Sequence, residues 1–67
     1  MAMTEMQGYL ADGMHEVGMS IYDIANILRV LEEEEQQARL LWWMAQHETP
    51  PTKSEVILEV TNILRNP

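Results

Sequence analysis

Apolar residues recur along this chain at helical spacing, in three stretches divided by glycine and proline. Met6, Leu10, Met14 and Val17 stand four, four and three residues apart, which places them on one stripe of a helix over about residues 4–17. Thr4 with Gln7 has capping-box spacing, in which a hydroxyl and a side-chain amide satisfy free N–H groups at a helix start. Gly8 and Gly13 weaken this helix, and Gly18 supplies a stop, since glycine takes the left-handed cap without strain.

The next stretch carries no glycine or proline and predicts one long helix over about residues 20–48. Its uninterrupted part, about 28 residues, would extend ~42 Å at 1.5 Å per residue. Ser20 with Asp23 caps its start. Ile21, Ile24, Leu28 and Leu31 form a heptad-like seam, which Glu32-Glu33-Glu34-Glu35 interrupts. Ala38, Leu41, Trp42 and Ala45 resume on the same face, whereas Leu40, Trp43 and Met44 point to the opposite side. The stretch from Leu40 to Ala45 is therefore apolar around its whole circumference, the pattern of a helix covered on all sides. Pro50-Pro51 ends this element. Thr52 with Glu55 then opens a third helix over about residues 53–65, with Val56, Ile57, Val60, Ile63 and Leu64 at helical spacing, before Asn66-Pro67 closes the sequence.

The pattern predicts an all-α single domain, residues 1–67, with a long central helix flanked by two shorter ones. Two short neighbours expose too little apolar surface to cover a rod of that length, so the expected assembly is a homodimer built around the long helices. Size points the same way. A 67-residue chain buries only ~60% of the surface its unfolded form exposes. Without cysteine, disulfides and thiolate metal sites are excluded, which leaves oligomerisation as a source of stability.

Charge restricts the partners. Eleven acids face four cations, Arg29, Arg39, Lys53 and Arg65, for a net charge of −7. Four scattered cations do not make the basic footprint of a phosphate-binding surface, so no direct nucleic-acid binding is expected, and an acidic body suits a basic protein partner. No apolar run reaches the ~18 residues of a bilayer span, and Met1-Ala2-Met3-Thr4-Glu5 lacks the cationic start of a secretion signal. The expected location is the cytoplasm, or the host cytoplasm for a phage-encoded protein.

Candidate chemistry is sparse. Glu32 and Glu35 have the ExxE spacing of Mg²⁺-dependent all-helical nucleotide hydrolases, with Glu55 and Glu59 as further acids. Glu35 four residues before Arg39 reads more simply as a solvated, locally paired face. His15 and His47 belong to no zinc motif, and Ser20 and Ser54 both read as caps. The run Gly18-Met19-Ser20-Ile21-Tyr22-Asp23-Ile24-Ala25-Asn26-Ile27-Leu28-Arg29-Val30 resembles the first helix of a helix-turn-helix DNA-binding unit. That resemblance implies a tight turn and a basic or polar recognition helix next, where this chain has Leu31 and four glutamates.

The leading expectation is a non-enzymatic, acidic protein-binding module without a cofactor or metal. Trp42, Trp43, Met44 and Leu40 would form its apolar patch, and Glu32, Glu33, Glu34 and Glu35 its steering surface. A phage- or plasmid-encoded inhibitor or adaptor, blocking a host enzyme or nucleic-acid-binding protein, is one concrete form. The alternative is a transcriptional or plasmid-maintenance accessory with a degenerate helix-turn-helix start. A metal-dependent nucleotide hydrolase ranks last.

Overall fold

The computed structural model describes residues 2–66; Met1 and Pro67 lie outside the described residues. Among the described residues the chain is all-helical, with four helices: α1 (Glu5–Glu16), α2 (Ile21–Val30), α3 (Glu34–Ala45) and α4 (Lys53–Arg65). The all-α class holds. The expected three helices with a long central one over 20–48 do not, because that stretch divides into α2 and α3 at Leu31–Glu33.

The division has a local and a global cause. Locally, Leu31 leaves helical geometry at ψ 72°, and its carbonyl accepts a buried 2.8 Å bond from the Gln37 side-chain amide. Glu33 then caps α3 through a capping box with Gln36, whose Oε1 accepts the Glu33 N–H at 3.2 Å. Glu34 and Glu35 fall in the first turn of α3, where carboxylates meet the positive end of the helix dipole. In an unbroken helix the same four adjacent charges would lie far from either end, without the helix dipole to favour them.

Globally, the break lets two opposed faces reach one core. At 100° per residue a continuous helix would set Leu40 and Met44 roughly 170° around the axis from Ile24 and Leu31. With the turn between them, Ile24, Ile27, Leu31 and Leu40 all become buried, and Met44 packs at the edge of the same cluster. The circumferential apolarity near residues 40–45 is thus a change of phase between two helices. The greasy rod on which the homodimer argument rested is not formed.

The other boundaries follow the sequence. Thr4–Gln7 and Thr52–Glu55 close reciprocal capping boxes. Ser20 Oγ accepts the Asp23 N–H at 3.2 Å. After α1, Gly18 adopts φ +85°. Its N–H donates to the His15 carbonyl and the Met19 N–H to the Met14 carbonyl, the paired bonds of a Schellman stop. Met14 and Met19 both enter the core.

α1 packs against α2 and α3, and α4 packs against α3. Leu10 and Met14 of α1, Ile24 and Ile27 of α2, Leu40 of α3, and Val56, Val60 and Ile63 of α4 make one cluster with Met19 and Leu31. A Cβ on Gly13 would lie 2.7 Å from Met44 Cε, so the missing side chain lets α1 and α3 approach closely. Lys53 Nζ and Asp23 Oδ2, 2.8 Å apart, tie the start of α4 to the start of α2. No helix among the described residues is long and apolar enough to cross a membrane.

Candidate binding groove

An open groove of about 560 Å³ lies between α1 and α2. Its α2 wall is Ile21, Ile24, Ala25 and Leu28, three of them from the heptad-like seam. Its α1 wall is Ala11, Asp12 and His15, with Met19 in the link and Met3 ahead of α1 at the margins. The core takes Ile24, half-covers Leu28 and leaves Ile21 76% exposed, so the lining grades from buried floor to free rim.

This gradation follows from the start of α2. Its first turn carries Ile21 and Tyr22 side by side, and adjacent helical positions cannot both face one core. Tyr22 is 82% exposed on the far side of Ile21. Ser20, which also borders the groove, has its hydroxyl engaged as the α2 cap. Asp23 sits below the usual aspartate range, held there first by the Lys53 ammonium and then by the Ser20 hydroxyl. Among the described residues, no buried side-chain nitrogen or oxygen lacks a hydrogen-bond partner. The groove can therefore desolvate an apolar surface, with Asp12 and His15 as the polar groups on its α1 side.

The residues expected to bind a partner lie elsewhere and do not form one surface. Leu40 is fully buried, and Trp43 and Met44 are half-buried against the core. The Trp43 ring meets the His47 ring edge-on with centroids 4.4 Å apart. The His47 Nδ1–H, just beyond the end of α3, donates to the Trp43 carbonyl at 2.8 Å. Trp42 alone projects outward, 70% exposed. Glu32, Glu33, Glu34 and Glu35 are exposed across the turn and the first turn of α3. The face assignment differs because the break resets the phase of α3: the Trp43 side turns inward and the Trp42 side outward.

Among the described residues, no three histidine, aspartate or glutamate side chains converge as a metal ion would require. A second cleft of about 280 Å³, bordered by Glu16, Val17, Leu41, Met44, His47 and Pro51, separates the end of α1 from the proline loop. Glu55, in the Thr52 capping box, lies below the usual glutamate range because it accepts the Thr52 backbone N–H and bonds its hydroxyl. Comparison with protein-family models, curated proteins and solved structures finds no match to this chain.

Proposed function

We propose that this chain is a non-enzymatic protein-binding module that engages its partner through the groove between α1 and α2. The observation that carries the reading is an apolar concavity left open in a chain this small, with Ile21 standing largely free at its rim. A soluble domain gains nothing in its own fold from such a side chain. Burying it against a partner would remove apolar surface from water at about 25 cal/mol per Å². The excess of acid on the surface then favours partners of opposite charge and speeds their encounter. An inhibitor or adaptor of a basic protein fits this description.

The test is comparative affinity capture from the native cell extract, using wild type, Ile21→Asp and Trp42→Ala. Both replaced side chains are exposed, so the fold should survive either change. The expected result is a protein retained by wild type and Trp42→Ala and lost with Ile21→Asp. Loss with Trp42→Ala and retention with Ile21→Asp would move the docking surface to the outer face of α3.

One observation favours a second reading. The three-residue break at Leu31–Glu33 gives α2 and α3 the short connection of a helix-turn-helix. The second helix, however, opens with Glu34 and Glu35 behind Glu33, which phosphate would repel. Retention of duplex DNA in a gel at moderate salt would support this reading, and its absence would remove it.

A further inference from the structure

We infer that the occupant of the α1–α2 groove is a cationic amphipathic helix of a partner protein, lying with its basic edge along α1. The inference rests on the groove being the docking surface and adds the chemistry and orientation of what docks there. Three observations carry it.

The first is shape. The groove runs between two helices, and α2, ten residues long, spans ~15 Å. Ile21, Ile24 and Leu28 offer apolar contacts along that length. An elongated apolar trough between helices takes the apolar stripe of a third helix, anchored at i, i+4 and i+7 over about two turns.

The second is the α1 rim. Glu5, Tyr9, Asp12 and Glu16 are all exposed, and at 100° per residue they fall within roughly 60° of one line on α1. Asp12 itself lines the groove. The trough is thus edged along α1 by Asp12 and His15, with Glu5 and the Tyr9 ring, 60% exposed, on the outer face of the helix beyond Asp12, while Glu16 turns to the second cleft. That side suits lysine or arginine, which pair with carboxylates and stack on tyrosine. The α2 side carries Tyr22, Asn26 and Arg29 instead, so the two rims differ in charge and fix which edge of the helix faces α1.

The third is the state of the chain's own cations. Lys53 pairs with Asp23, Arg39 donates to the Asn66 carbonyl, and Arg29 donates to the Asn26 side chain at 3.2 Å. Three of the four cations are held within the chain, and none of these contacts neutralises the α1 stripe. A second copy would add a further net charge of −7 to the assembly. A cationic helix would neutralise what a second copy would aggravate.

The test uses two synthetic helical peptides of about 14 residues with leucine at i, i+4 and i+7. One carries lysines along a flank of the stripe and the other carries glutamates there. Binding is read by fluorescence anisotropy and by amide shifts across the chain. The lysine peptide should bind with shifts at Ala11, Asp12, Ile21, Ala25 and Leu28. Its affinity should fall about tenfold or more between 0.1 and 1 M salt, as the screening length drops from about 10 Å to about 3 Å. Asp12→Lys should weaken it about fivefold at low salt and flatten the salt dependence, while Ile21→Asp should abolish it.

Groove binding by the glutamate peptide as tight as that by the lysine peptide would overturn the cationic partner and leave the docking surface standing. Failure of both peptides, with concentration-dependent dimerisation lost in Ile21→Asp, would assign the groove to a second copy and overturn the inference. Failure of both with a monomeric chain would overturn the inference and the docking surface together.

Discussion

Gly18 sits at φ +85°, a backbone region in which a Cβ crowds the following carbonyl. Gly18→Ala should therefore lower stability by about 1–2 kcal/mol even though no atom beyond its own residue and chain neighbours lies within 4 Å of the added methyl. Gly8 has equally open surroundings and ordinary helical geometry, so Gly8→Ala should raise stability by roughly 0.5–1 kcal/mol through helix propensity alone. Urea melts of the pair should shift in opposite directions; a shared direction would show that space and not backbone conformation governs these sites. Gly13 differs from both, because its added methyl must displace the flexible Met44 terminus, which sets a packing loss against the propensity gain. At this scale much was readable in advance. The Thr4, Ser20 and Thr52 caps and the Gly18 stop depend on contacts within five residues, and local sequence specifies such contacts.

The turn between α2 and α3 is the element-scale feature that sequence periodicity left ambiguous. The opposite facing of Leu31 and Leu40 on a continuous helix was legible, but it has two physical solutions: a helix covered on all sides, or a break that rotates the second half. What decides between them is Gln37, which is 4% exposed and reaches back to the Leu31 carbonyl. That contact spans the turn and exists only once the turn has formed, so no spacing rule signals it. The same ambiguity governs the site. Ile21, Ile24 and Leu28 were recognisable as a seam, but the α1 wall at Ala11, Asp12 and His15 depends on how two helices pack, and Trp42 and Trp43 exchange faces with the phase of α3. Gln37→Leu should strand the buried carbonyl and lower stability by about 1–3 kcal/mol. Gln36→Leu removes a bond to an exposed N–H that water can replace, so its loss should stay below ~1 kcal/mol. Equal losses in chemical denaturation would mean that the Leu31 carbonyl is solvated and that the turn is held by something else.

Across the whole molecule two electrostatic effects oppose each other as pH falls. Protonating the carboxylates of a chain with net charge −7 relieves self-repulsion and favours the compact state. Asp23 acts in the other direction. The Lys53 ammonium and the Ser20 hydroxyl hold it below its ordinary value of 3.8, so the unfolded chain takes up its proton first. A group depressed in the folded state contributes stability that is complete above the ordinary value and is lost as pH falls through the depressed one. Glu55 behaves likewise below its ordinary 4.5, held by the Thr52 backbone N–H and hydroxyl. A wild-type acid melt mixes all these contributions, whereas comparison with Asp23→Asn isolates one of them. The two chains share nearly the same background repulsion, and the variant keeps the backbone N–H that Ser20 caps while losing the link to Lys53. Wild type should melt higher than Asp23→Asn at neutral pH. The gap should hold down to about pH 5 and close as Asp23 becomes protonated towards about pH 2. Salt should narrow it at neutral pH, since both partners of the pair are substantially exposed. A gap that persists undiminished at about pH 2 would show that the asparagine perturbs the start of α2 itself, and that the ion pair does not hold α2 to α4.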